Sequence, residues 1–370
     1  MNSDRVPSLA ATTAVPRPRT PSSGSEPLNI PKRRAILVLG MHRSGTSALT
    51  RTLSLCGAAL PKRRMRPAPG NNETGFWESR VIRELHDELL ATAGLSWGMP
   101  SELPLAWFET PAAAYFKKRM ISAFHKEFGD APLIVVKDPR ACSLVPFWLT
   151  VFDDMGIEPG IVIPVRRPSE VAVSLEARDG MPQERSLLLW LQHFLAAEHD
   201  SRMVKRSITS YAGLLESWRD VVNKIGTDLA LQWPDRDPLT SDKIDDFLCA
   251  ELRHHVSSAD LQGNSDLITS VRIAYRWAID ASMGKPMDTV VLDGISDEFF
   301  PGRRSRLAAA TAAMAPANLR RPKKRAIAAF WELGYTVKRA HQKSKLTLRY
   351  LRRNGLKRTV ARIAEEFGSV

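Results

Sequence analysis

The sequence predicts an α/β fold, a parallel β-sheet flanked by helices with a further helical part toward the C-terminus. Two observations carry that expectation. Three short apolar runs, Ala35–Gly40, Leu133–Val136 and Gly160–Val165, have no polar alternation, as expected of strands buried on both faces. Each run leads within a few residues into a helix-like stretch, and strands that alternate with helices build parallel sheets through right-handed crossovers.

Taken in order, residues 1–33 are rich in Pro, Ser, Thr and Arg and poor in large apolar side chains, the composition of a disordered arm. Order is expected from Ala35. A helix follows at Ser47–Leu55, then a basic, turn-rich loop from Pro61 to Glu73. Helices are expected over Glu78–Thr92, Pro111–Phe128, Cys142–Phe152 and Pro168–Ala177. Pro168 suits a first helical turn, where a missing N–H costs nothing. From Arg185 to His199, Leu187, Leu188, Leu191, Phe194 and Leu195 recur at helical spacing and mark a core-facing helix. Tyr211–Ile225 and Leu267–Ala281 also read as helices. The resulting division is an arm over 1–33, a body over 34–300 and a basic helical tail over 301–370.

Of the 370 residues, 44% are apolar and 25% charged, enough for a sizeable core. The three cysteines, Cys56, Cys142 and Cys249, are an odd number without a C-x-x-C pair, which points to a reducing compartment. No apolar run reaches the roughly 18 residues of a membrane span, and no secretory leader is recognisable at the N-terminus. The expectation is a soluble cytoplasmic protein.

The net charge of +13 is unevenly distributed: residues 301–370 hold 18 Lys and Arg against 3 Asp and Glu, and the other 300 residues hold 35 against 37. Basicity therefore belongs to the tail, and no specific nucleic-acid partner is expected. Within the tail, Arg320–Arg325 and its neighbours flank Phe330, Trp331, Tyr335 and Val337. That pattern fits a helix lying on an anionic membrane surface. It also fits an acidic polysaccharide, a partner protein, nucleic acid or a solvated extension.

Between the first strand and first helix stands Gly40-Met-His-Arg-Ser-Gly45-Thr46-Ser47. A loop at that junction aims backbone N–H groups and the positive helix end at one point, which suits an anion. The G-x-x-x-x-G spacing is that of a nucleotide phosphate loop, whose next residue should be Lys. Here it is Thr46, and the cation lies inside the loop at Arg43. An ordinary βα turn is the plainer alternative.

A second motif follows the third strand, Val165-Arg166-Arg167-Pro168-Ser169-Glu170-Val171-Ala172-Val173-Ser174. Arg166 ends the strand and Ser174 lies on the second helical turn, so both could face one anion. The plainer alternative is a salt-bridged Arg beside a Ser bonded to its own helix backbone. Together the two motifs resemble the donor-binding elements of sulfotransferases that use 3′-phosphoadenosine 5′-phosphosulfate (PAPS), in the bacterial and carbohydrate-type branch.

The resemblance implies a three-layer sandwich like that of P-loop nucleoside triphosphate hydrolases. It also implies Arg43, Ser44, Gly45, Thr46 and Ser47 on the 5′-phosphosulfate, and Arg166 with Ser174 on the 3′-phosphate. Cytosolic members usually carry Lys where Arg43 stands. A guanidinium stays protonated, so Arg43 would stabilise the bridging oxygen by charge alone. No metal is required.

The acceptor hydroxyl needs a base. Glu78, in Gly75-Phe-Trp-Glu78, is the first choice, with Glu73 and His86 in reserve. A glutamate opening a helix can also be a simple N-terminal charge. Lys137-Asp138-Pro139-Arg140 resembles a segment of the same branch at a strand end, where ligands gather in open α/β sheets. Lys137 and Arg140 are therefore expected near donor or acceptor, the alternative being a salt-bridged turn. Tyr211–Arg219 and Phe247–His255 resemble the branch more loosely. His254 and His255 have no third metal ligand at useful spacing. The acceptor implied is a glycan or glycolipid. A P-loop kinase, or a non-enzymatic anion or nucleic-acid binder acting through the tail, are the competing functions.

Overall fold

The computed structural model of the protein describes residues 32–67, 72, 75–99, 103–234, 237–248 and 261–300. Residues 1–31 of the expected arm, Glu73, Cys249, the His254–His255 pair and the tail 301–370 lie outside the described residues.

Strand β1 (Arg34–Val38) leads into helix α1 (Thr46–Leu55). Helices α2 (Arg80–Thr92), α3 (Leu105–Phe108) and α4 (Pro111–Phe128) precede β2 (Leu133–Lys137). A 3₁₀ turn (Pro139–Ser143) and α5 (Val145–Asp154) connect to β3 (Glu158–Val165). Then come α6 (Pro168–Asp179), α7 (Gln183–Asp200) and β4 (Arg206–Ser210). Helices α8 (Tyr211–Glu216), α9 (Trp218–Asp228), α10 (Pro238–Phe247), α11 (Asp266–Ser282) and α12 (Val290–Phe299) complete the described chain.

The four strands form one parallel sheet in the order β2-β1-β3-β4. Ile36 of β1 stands opposite Val135 on one side and Gly160 on the other. Because side chains alternate along a strand, β1 feeds two cores. Ala35 and Leu37 join a cluster with Leu89, Phe124, Trp148, Phe152 and Leu191. Ile36 and Val38 join Leu49, Leu53, Val222 and Ile225. The result is a three-layer α/β sandwich. Trp148 is 0% exposed, and truncating such an aromatic to Ala costs about 3–5 kcal/mol.

The structure departs from expectation at four places. Arg33 is already anchored, its guanidinium donating to the carbonyls of Gly129 and Ala131, so order precedes Ala35. The helix expected from Cys142 is a 3₁₀ turn followed by α5 from Val145. The stretch Tyr211–Ile225 breaks at Ser217, whose non-helical backbone (φ −149°, ψ 73°) separates α8 from α9. Finally, β4 was not anticipated, because Arg206-Ser-Ile-Thr-Ser210 lacks an apolar run. Its buried Ser207 is accommodated by donating to Asp228 of α9 at 2.6 Å, which removes the penalty of an unpaired hydroxyl.

The strand order sets the site. The chain leaves β1 toward β2 and leaves β3 toward β4, so the connections diverge between the neighbouring β1 and β3. In open α/β sheets ligands occupy the crevice at such a divergence, beyond the strand C-terminal ends. The Arg43 loop and Arg166 both sit there.

Candidate active site

The loop Leu39–Gly45 closes on two left-handed residues, Arg43 (φ 72°) and Gly45 (φ 82°). A Cβ at Gly45 would stand 2.2 Å from Cδ2 of Tyr211. One at Gly40 would stand 2.9 Å from Cγ2 of Thr46 and 3.3 Å from the Pro164 carbonyl oxygen. Both glycines of the motif are thus demanded by close approach. The loop delivers the chain into α1, whose first amides have no intrahelical acceptor by position and face the loop with the positive dipole end. The Ser44 hydroxyl is buried without a hydrogen-bond partner among the described residues, as is that of Ser169 in the first turn of α6. Unmet buried hydroxyls are costly, and two of them beside this cradle suit the oxygens of an anionic ligand.

Arg43 reaches across the crevice. Its Nε donates to Ser174 Oγ at 2.7 Å, and Nη1 donates to Asn72 Oδ1 at 3.1 Å. Arg166 donates from Nη1 to the carbonyl oxygen of Arg43 at 3.2 Å and from Nε to Glu170 at 2.8 Å, and its guanidinium lies 4.8 Å from the Tyr211 ring centroid. Ser174 therefore accepts from Arg43, and Arg166 donates to the carbonyl of that same residue, so both members of the second motif touch the loop. The Arg166–Glu170 pair matches the plainer salt-bridge alternative for that residue, and it leaves Nη1 directed at the loop. Burial first, then the nearby Arg178 and Arg166, lower the Arg43 pKa from its ordinary value. Cations held this close favour an anion between them.

A second cluster lies beside Ser47. Lys137 Nζ donates to Glu78 Oε1 at 2.5 Å, to Ser47 Oγ at 3.1 Å and to the Phe76 carbonyl at 3.3 Å. Asn72 Nδ2 lies 3.4 Å from the same hydroxyl. Glu78 is 3% exposed and stands before α2, whose N-cap is Ser79, accepting from the Ile82 amide at 3.2 Å. Glu78 is therefore not a helix-opening surface charge. Burial raises its pKa, and Lys137 opposes the rise. Only Oε1 of the carboxylate is engaged among the described residues.

His86 and Arg140 belong to a different arrangement. His86 is 0% exposed; Nε2 accepts from Trp148 Nε1 at 3.0 Å, and Nδ1 lies 2.8 Å from Asp138 Oδ2. Indole N–H can only donate, so the His86 proton sits on Nδ1, directed at Asp138. With both nitrogens occupied, His86 has none to offer an acceptor, which corrects its place as reserve base. Arg140 pairs with Asp138 at 3.0 Å and with Asp87 at 2.5 Å. This is the salt-bridged turn, not an acceptor contact. Burial works against the Asp138 charge, but Arg140 and His86 outweigh it and hold the carboxyl far below the usual range. The segment Lys137–Arg140 is thus divided: Lys137 faces the loop, while Asp138 and Arg140 brace the fold.

Sequence reasoning missed Asn72, Tyr211 as the ring against Gly45 and Arg166, and His42. His42 Nε2 is buried without a partner among the described residues, and its ring meets Trp97 at 4.4 Å. Burial, then Arg178, Arg140 and Lys137, hold its pKa well below the ordinary value, so the ring is neutral at pH 7. Its place inside the G-x-x-x-x-G loop was the available signal.

No family model and no curated relative matches the chain. Among solved structures it is similar to the sulfotransferase domain of the Synechococcus olefin synthase, at 19% identity over 68% of this chain and 96% of that one, with TM-score 0.38. A sulfotransferase from Mycobacterium tuberculosis follows at 15% identity, covering 66% and 76% of the two chains, TM-score 0.35. The sulfotransferase domain of the curacin biosynthetic pathway is 12% identical over 72% and 97%, TM-score 0.33. These likenesses are distant, and the functional reading rests on the crevice itself.

Proposed function

We propose that the protein is a PAPS-dependent sulfotransferase acting on a hydroxyl acceptor, a glycan or glycolipid. The observation that carries this reading is the meeting of two anion-binding motifs, the Arg43 loop and Arg166, across one crevice. A nucleotide with a 5′-phosphosulfate and a separate 3′-phosphate needs two such positions, whereas a triphosphate extends from one.

In this reading the α1 amides, Ser44, Thr46 and Ser47 hold the 5′-phosphate, and Arg166 with Ser174 takes the 3′-phosphate. Arg43 turns from Ser174 toward the bridging oxygen. The acceptor oxygen attacks sulfur, the bond from sulfur to the bridging oxygen breaks, and that oxygen leaves on 3′,5′-adenosine bisphosphate. Arg43 stabilises the charge developing there. Glu78, whose raised pKa suits a base, takes the hydroxyl proton, and Lys137 couples it to Ser47. Glu73 lies outside the described residues and keeps only its place in the sequence as a reserve.

Isothermal calorimetry with 3′,5′-adenosine bisphosphate tests the reading. Binding by the wild type should fall at least about tenfold in both Arg43→Ala and Arg166→Ala, as expected for losing a charged contact of ~1.4 kcal/mol or more. Binding of ATP with Mg²⁺ and none of the bisphosphate would point instead to a kinase.

A further inference from the structure

A cluster of cations lies one helical turn from the donor loop. Arg51 follows Ser47 by four residues on α1, so the two share a face about 5–6 Å apart. That face meets the segment carrying Phe76, Trp77 and Glu78, since Ser47 Oγ lies 3.4 Å from the Phe76 carbonyl. The Arg51 guanidinium sits 4.7 Å from the Trp77 ring centroid, and Arg64 sits 5.7 Å from the same ring. Trp77 holds a left-handed backbone (φ 59°), a costly conformation for a bulky residue, and it keeps the indole between these arginines.

The exposed ribbon carrying Lys62, Arg64 and Arg66 is fastened to the same segment. Arg64 bridges Ser79 in antiparallel fashion, the Met65 amide donates to the Glu78 carbonyl at 2.9 Å, and the Arg80 amide donates to the Arg63 carbonyl at 2.9 Å. The cations are therefore fixed to the backbone of Glu78 itself.

Their pairing differs from that of neighbouring cations. Arg63 in the same ribbon is matched by Glu127 at 2.6 Å, and Arg83, Arg119 and Arg140 nearby all have carboxylates. Among the described residues Arg51, Lys62, Arg64 and Arg66 have none. Burial and then the Arg64 charge lower the Arg51 pKa, in keeping with like charges gathered without a counter-ion. Such a patch beside a cleft concentrates anions.

We propose that Arg51, Lys62, Arg64 and Arg66, gathered around Trp77, form a docking strip for the anionic flank of the acceptor, which is therefore an acidic oligosaccharide that presents its hydroxyl to Glu78. The cations bind carboxylate or sulfate groups on the sugars, and the Trp77 ring holds Arg51 and Arg64 beside one another. This deepens the sulfotransferase reading and rests on it for the role of Glu78.

Phenylglyoxal footprinting of the full-length chain, mapped by mass spectrometry, tests the arginines of the strip one by one and separates them from the basic tail. A heparin-derived oligosaccharide should slow modification of Arg51, Arg64 and Arg66 several-fold, and a neutral malto-oligosaccharide should not. In the Arg64→Ala/Arg66→Ala variant, whose changes lie on the exposed ribbon, protection of Arg51 should be lost. Protection confined to residues 301–370, equal protection by the neutral sugar, or Arg51 protection that survives in the variant overturns the proposal. Calorimetry with 3′,5′-adenosine bisphosphate on the same samples judges the donor site separately: its failure with a protected strip sinks the sulfotransferase reading alone.

Discussion

At the scale of single residues, charges at the crevice and behind it are held in place by partners far away in sequence. Asp138 is the clearest case, with His86, Arg140 and the 3₁₀ turn all depending on its carboxylate. Replacing it by Asn removes one member of a buried charged cluster, and stability should fall by about 3–5 kcal/mol in urea unfolding at neutral pH. A depressed carboxyl pKa contributes stability above its unfolded value and loses it as pH falls, so part of the wild type's acid lability lies below pH 4. His193 acts in a higher window. Burial brings its pKa from 6.5 down to about 4, so the unfolded chain binds the extra proton first and the folded state loses stability as pH drops through that interval. His193→Asn should flatten the urea midpoint between those two pH values, and an unchanged slope would falsify the assignment. Lys137-Asp138-Pro139-Arg140 was legible in the sequence as a place of interest. Which residue faces the loop and which braces the fold was not, because Glu78, His86 and Asp87 arrive from more than 50 residues upstream.

At the scale of elements, apolar runs announced β1, β2 and β3, and the helix Pro111–Phe128 was read to the residue. Strand β4 stayed hidden because it has no apolar run and its buried Ser207 finds its partner, Asp228 of α9, only in the folded protein. The break at Ser217 was equally invisible, since no Gly or Pro marks it. The Gly40–Gly45 loop was legible from its glycines, and their positions explain a strong constraint. Gly45→Ala would set a methyl against the Tyr211 ring in a backbone region that disfavours side chains. Circular dichroism should show a retained α/β spectrum, while calorimetric affinity for 3′,5′-adenosine bisphosphate should drop by more than about tenfold through displacement of the loop.

At the scale of the whole molecule, the near-neutral body and the strongly basic stretch 301–370 invite separate roles. No helix among the described residues is long and apolar enough to cross a membrane. If the stretch attaches the protein to a bilayer surface, it should do so by charge and an aromatic stripe. Flotation with anionic vesicles should carry the full-length protein to the top and leave a variant ending at residue 300 in the dense bottom layer. Equal flotation of both removes that role. The crevice has a different dependence on the whole. Arg166 meets the loop across a sequence separation of 123 residues, and the carriers of the two motifs are central, adjacent strands. No piece of the chain that lacks either strand could therefore reproduce the grip, and a ligand bound to both motifs should register as a rise in the melting temperature of the body.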